Sequence, residues 1–162
     1  MSAARAGDSA AIRLEPRDRE LLIPELRAVA ERMSDVAARE AYAALAEAVE
    51  RLEVPGAMSE RLGAALSVVL SNDRIRASFG PGAELQLARL FHRTPQGCAI
   101  LATVEELNAA LARLRGQSLR NASVALRAPG VFALTLETSG CHMVVRLNPS
   151  GAQVESLEIG LA

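Results

Sequence analysis

The chain has 162 residues, of which 50% are hydrophobic, so it can build one ordinary domain, or a small domain with a helical arm. Its 18 basic and 19 acidic residues leave a formal net charge of -1, which provides no overall field toward nucleic acid or anionic lipid. Every basic residue is Arg, and the lack of Lys excludes a P-loop nucleotide hydrolase and any enzyme that needs a Schiff-base lysine.

The first 15 residues are small and polar, rich in Ala, Ser and Gly, with little periodicity. This composition predicts a disordered tail over residues 1–15. The tail has no apolar run long enough for a signal-peptide core, and no later stretch has the apolar length of a transmembrane helix. We therefore expect a cytoplasmic protein without a membrane partner.

A helical apolar stripe begins in the region 16–54. Its first members, spaced alternately four and three apart, are Leu22, Leu26, Val29, Met33 and Val36. The stripe drifts onward to Leu52, which predicts one long amphipathic helix of about eight turns that ends before Pro55. Such a stripe needs a cover, either an internal core or a partner. The five residues are therefore our candidate interaction site.

Residues 57–162 are predicted to form an α+β domain, whose first half, 59–115, is helical. Ser59 is a suitable N-cap for the first of these helices. Thr94 and Pro95 are a cap and first-turn pair for the last and best-defined helix, which Gly116 ends. The large apolar residues on one face of this last helix are Ile100, Val104, Leu107, Leu111 and Leu114.

After Gly116 the apolar period changes to two, which predicts an antiparallel sheet over 119–161. The alternating apolar residues are Ala122, Val124, Leu126, Phe132, Leu134, Leu136, Met143, Val145, Leu147, Leu157, Ile159 and Leu161. Their alternation changes phase near Val154, which predicts a kink in the last strand. The predicted fold class is α+β: N-terminal helices, then a four-stranded meander whose apolar face is covered by the helix before it.

Few residues suggest chemistry. Cys141 and His142 are adjacent, and His92 precedes Cys98 at a looser spacing, so zinc binding or a thiol nucleophile is one interpretation. Neighbouring strand residues point to opposite faces, however, which favours a buried structural Cys141 and a solvent-facing His142. We therefore predict no catalytic residue, no cofactor and no metal.

These observations favour a non-enzymatic scaffold or adaptor that self-associates or docks a partner protein. One alternative is a small-molecule-binding or enzymatic α+β domain. Another is a DNA-binding regulator of winged-helix type, although Glu105 and Glu106 in the would-be recognition helix would repel phosphates. With one Tyr, three Phe and no Trp, the chain also offers little for stacking on bases or sugars.

Overall fold

The computed structural model describes residues 10–71 and 74–160. The helices are α1 (Pro16–Arg32), α2 (Val36–Glu50), α3 (Ser59–Leu70), α4 (Arg74–Phe79), α5 (Pro81–Phe91) and α6 (Pro95–Ala112), and one 3-10 turn spans Gly56–Met58. The strands are β1 (Ile12–Arg13), β2 (Glu53–Val54), β3 (Leu119–Ala128), β4 (Val131–Thr138), β5 (Cys141–Asn148) and β6 (Gly151–Ile159). The chain divides into two compact units, residues 1–98 and 99–162.

The single long helix expected over the region 16–54 is two helices, α1 and α2, which pack against each other. The break falls at residues 33–35, where the Asp35 carboxylate accepts a hydrogen bond from the Ala37 N–H at 3.1 Å and caps α2. Asp favours such caps because its side chain satisfies a backbone donor that the first helical turn leaves free. The drift of the apolar stripe is explained by this break, since each helix buries its own face.

Part of the predicted N-terminal tail is ordered. Ile12 and Leu14 are buried, and β1 pairs antiparallel with β2, with Ile12 opposite Val54. These two apolar side chains, separated by Arg13, belong to the core of the first unit, although the segment is too short for sequence periodicity to reveal it. Residues 1–9 of the predicted tail lie outside the described residues.

The helices α3, α4 and α5 share one hydrophobic core with α1 and α2. Fully buried members from α1, α2, α3 and α5 are Leu22, Leu26, Leu45, Leu62, Leu66 and Leu87. The expected α+β domain of 57–162 therefore differs from the compact units, because α3 to α5 pack with the N-terminal helices. Each of these helices has one apolar face. Because that face is buried in the core shared with α1 and α2, the helix has no second apolar face to pack on the sheet.

The turn from α5 to α6 is tightly built. The Thr94 hydroxyl donates to the Phe91 carbonyl at 2.7 Å and accepts from the Gly97 N–H at 3.2 Å. Thr94 is buried and immediately precedes Pro95. The predicted cap and first-turn pair at the start of this helix is thus confirmed.

The second unit contains the four-stranded antiparallel sheet, in the order β3-β4-β5-β6. Leu107, Ala110 and Leu111 of α6, and Leu114 just after the helix, pack on its apolar face. The kink predicted near Val154 is a bulge at Glu155, since Val144 pairs with Ser156 and Val145 with Val154. The predicted α+β class, with N-terminal helices and a helix-covered C-terminal meander, is confirmed.

Candidate functional site

The five candidate interaction residues do not form one exposed stripe. Leu22 and Leu26 are 0% and 1% exposed and belong to the core of the first unit. Val29 and Met33 are half-buried, and only Val36, at 54%, is exposed. The first half of the predicted stripe therefore serves packing within the chain.

The two cysteines lie in different surroundings. Cys141 is buried in β5, as predicted, whereas the exposed Cys98 thiol donates to the His92 carbonyl at 3.3 Å. Over residues 10–71 and 74–160, no three His, Cys, Asp or Glu side chains cluster so that they could hold a metal ion. In the same ranges, no helix is both long and apolar enough to span a bilayer.

A cavity of about 190 Å³ in the first unit lies between the start of α1 and α5 and is lined by polar and apolar residues. Its buried carboxylate, Asp18, accepts hydrogen bonds from the Glu15 N–H at 2.8 Å and from the Gln86 amide at 2.9 Å. The Arg93 guanidinium, at the rim, donates to the Arg13 carbonyl at 2.8 Å. These hydrogen bonds hold the start of α1 in place and give the buried carboxylate a structural role.

Asp18→Ala is expected to lower the free energy of unfolding of the first unit by about 1–2 kcal/mol, because the Glu15 N–H and the Gln86 amide both lose their acceptor. Urea unfolding followed by far-UV circular dichroism measures this loss. Asp35→Ala is the matched control, since the exposed Asp35 caps α2 with one hydrogen bond and should cost less. Equal stability of wild type and Asp18→Ala would contradict the capping role.

The most exposed apolar surface of the second unit lies on β3. On the sheet face that α6 covers, burial rises from strand to strand. Val124 and Leu126 of β3 are 64% and 67% exposed, Leu134 and Leu136 of β4 are half-buried, and Met143 of β5 is fully buried. The same face continues at Phe132, paired with Leu126 and 41% exposed. The helix thus covers β4 to β6 and leaves the β3 side open.

The two edge strands of the sheet differ in how they are protected. β6 carries its bulge at Glu155, in the middle of the strand, and also bears Glu158; bulges and charges are the usual devices that keep an edge from pairing. β3 has its two bulges at Arg120 and Arg127, near its ends. Between them, residues 121–126 pair regularly with β4 and carry no charge. β3 is therefore the more open edge.

We call this surface the β3 edge: the bulge-free segment 121–126 of β3 together with Phe132. No family model, curated protein or solved structure matches the chain. The sequence alternation identified Val124 and Leu126 but gave them the same expectation of burial as their counterparts on β5. A signal for their exposure was available, because a helix about 10 Å wide cannot cover four strands spaced about 4.8 Å apart.

Proposed function

We propose that the protein is a non-enzymatic interaction module of the cytoplasm, and that it binds its protein partner, or a copy of itself, through the β3 edge. The single observation that carries the proposal is the exposure of Val124 and Leu126 on an edge strand without central charge. An extended segment that pairs with this edge gains backbone hydrogen bonds along β3. Its side chains on the α6 side would also lie beside two apolar groups that otherwise face water.

This proposal moves the contact surface away from the stripe that begins at Leu22, since that residue and Leu26 are in the core. Val36 is exposed and could still contact a partner, but a single exposed apolar side chain is common on protein surfaces and is not evidence for one. An enzymatic or DNA-binding role has less support. The buried carboxylate of the described cavity is already hydrogen-bonded, and α6 exposes Glu105 and Glu106.

Site-specific photo-crosslinking in cells tests the proposal. A benzoylphenylalanine placed at Val124 should give discrete adducts, whether with the chain itself or with another protein. The same group at Val68, which is 59% exposed on α3, is the matched control and should give none. Adding Leu126→Arg should abolish the adducts, because a guanidinium would enter the apolar contact.

Leu126 is two-thirds exposed, so Leu126→Arg should fold like the wild type. Circular dichroism checks this before crosslinking. If Val124 gives no more adducts than Val68, or if Leu126→Arg leaves the adducts unchanged, the β3 edge is not the contact surface and the proposed function fails.

A further inference from the structure

We propose that the occupant of the β3 edge is a second copy of this chain, paired antiparallel with β3 about a two-fold axis at Val124. The inference rests on the proposed function and names its partner. Antiparallel pairing of two identical strands generates a two-fold axis by itself, and twofold dimers with identical contacting patches are the commonest symmetric assemblies. The meander would then continue as one sheet across the two copies.

The pleat restricts where the axis can lie. Paired residues of an antiparallel ladder point to the same face of the sheet. The apolar face therefore continues across the two copies only if even-numbered residues of β3 pair with even-numbered residues and odd-numbered with odd-numbered. An axis at a residue meets this condition. With the axis at Val124, the residues Ala122, Val124 and Leu126 of one copy face Leu126, Val124 and Ala122 of the other.

The sizes of these side chains fit that register. Leu126, the largest exposed side chain of the segment, lies opposite the small Ala122 of the second copy, and Val124 lies opposite itself. An axis at Ser123 would instead set Leu126 against the bulged Arg120. An axis at Ala125 would set Ala122 against Ala128, beyond the bulge at Arg127. The axis at Val124 alone pairs all three apolar residues with apolar residues of the bulge-free segment.

Charge supplies a distinguishing feature. No charge lies within the paired segment, but at each of its ends Arg120 of one copy, opposite Ala128, lies one position along the strand from Arg127 of the other. Two exposed like charges weaken a cross-strand contact modestly, and salt screens them. Self-association should therefore become tighter as salt increases. An acidic partner at the same edge would show the opposite dependence.

Cysteine crosslinking tests the register. In a Cys98→Ser background, Val124→Cys should form a disulfide-linked dimer rapidly, because opposite residues of a ladder have Cβ atoms about 4.5–5.5 Å apart, within reach of a disulfide after small shifts. Ala122→Cys and Leu126→Cys should each crosslink slowly alone but rapidly when mixed. Val68→Cys is the collision control, matched in residue type and exposure.

The inference is overturned if Val124→Cys crosslinks no faster than Val68→Cys, or if Ala122→Cys alone crosslinks as fast as the mixture. Light scattering on the full chain provides the second measurement. Arg120→Glu should tighten the dimer by about two- to fivefold, since at each end a carboxylate replaces a guanidinium beside Arg127 of the other copy. Weaker association of Arg120→Glu would contradict the two-fold arrangement.

The two proposals fail in different ways. A chain that stays monomeric, yet forms Leu126-dependent adducts with another protein at Val124, overturns the second-copy inference and leaves the proposed function standing. A chain without any adduct at Val124 overturns both.

Discussion

Gly97→Ala is expected to destabilise the first unit by about 3 kcal/mol or more, the upper range for an overpacked site. A Cβ built on Gly97 would overlap the carbonyl oxygen of Phe91 and lie 2.6 Å from its carbonyl carbon. These are backbone atoms, so no side-chain rotation relieves the clash. The same carbonyl accepts hydrogen bonds from the N–H and the hydroxyl of Thr94, at 2.9 and 2.7 Å, which fixes it in place.

Gly82→Ala is the matched control, because Gly82 lies near the start of α5 and a Cβ there would have no neighbour within 4 Å. Alanine favours a helix over glycine, so this variant should be unchanged or stabilised by up to about 1 kcal/mol. Urea unfolding of both variants, followed by circular dichroism, makes the comparison. Equal stabilities would show that the turn from α5 to α6 is looser than described.

Leu26→Glu is expected to unfold the first unit, with a loss of more than about 4 kcal/mol, because an unpaired carboxylate would enter a site that is 1% exposed. The control is Val36→Glu, because Val36 belongs to the same stripe in the sequence but its side chain is exposed. This variant should change the free energy of unfolding by less than about 0.5 kcal/mol. The pair separates a core role of the stripe from a role in partner binding.

Tyr42 provides a local probe for this experiment, since it is the single tyrosine of a chain without tryptophan and packs against the core of the first unit. Its near-UV circular dichroism should be lost in Leu26→Glu and retained in Val36→Glu. A folded Leu26→Glu variant with a changed solution mass would instead support the partner-binding interpretation.

The sheet and α6 were predictable from sequence because their signals are local. The change of period after Gly116, the phase change near Val154 and the Thr94 cap each act within a few residues. The break between α1 and α2 was not predictable in this way. The helical apolar spacing of three and four residues continues through Met33 to Val36, across the point where α1 ends. Ser34 and Asp35 are the local indication of a helix end there.

The candidate surface shows the same division between local and tertiary information. Alternation placed Val124 and Leu126 on the apolar face of the sheet, and the register confirms that they share it with Leu134 and Phe132. Which of the four strands the helix would cover depends on the width and path of α6. The width of a helix predicts that part of a four-stranded sheet stays uncovered, but the path of α6 decides which strand that is. Only the fold shows that path, so β3 could not be chosen from the alternation.

The two arginines that flank the bulge-free segment of β3 also bear on how this chain is made. β3 is the first strand of the meander to be synthesised. Its uncharged segment stays unpaired on both sides until β4 has also left the ribosome. Uncharged β segments that are exposed during folding are prone to aggregate, and flanking charged gatekeeper residues reduce that tendency. Arg120 and Arg127 stand at those positions. The same two charges that weaken the dimer proposed above would thus protect the nascent strand from indiscriminate pairing.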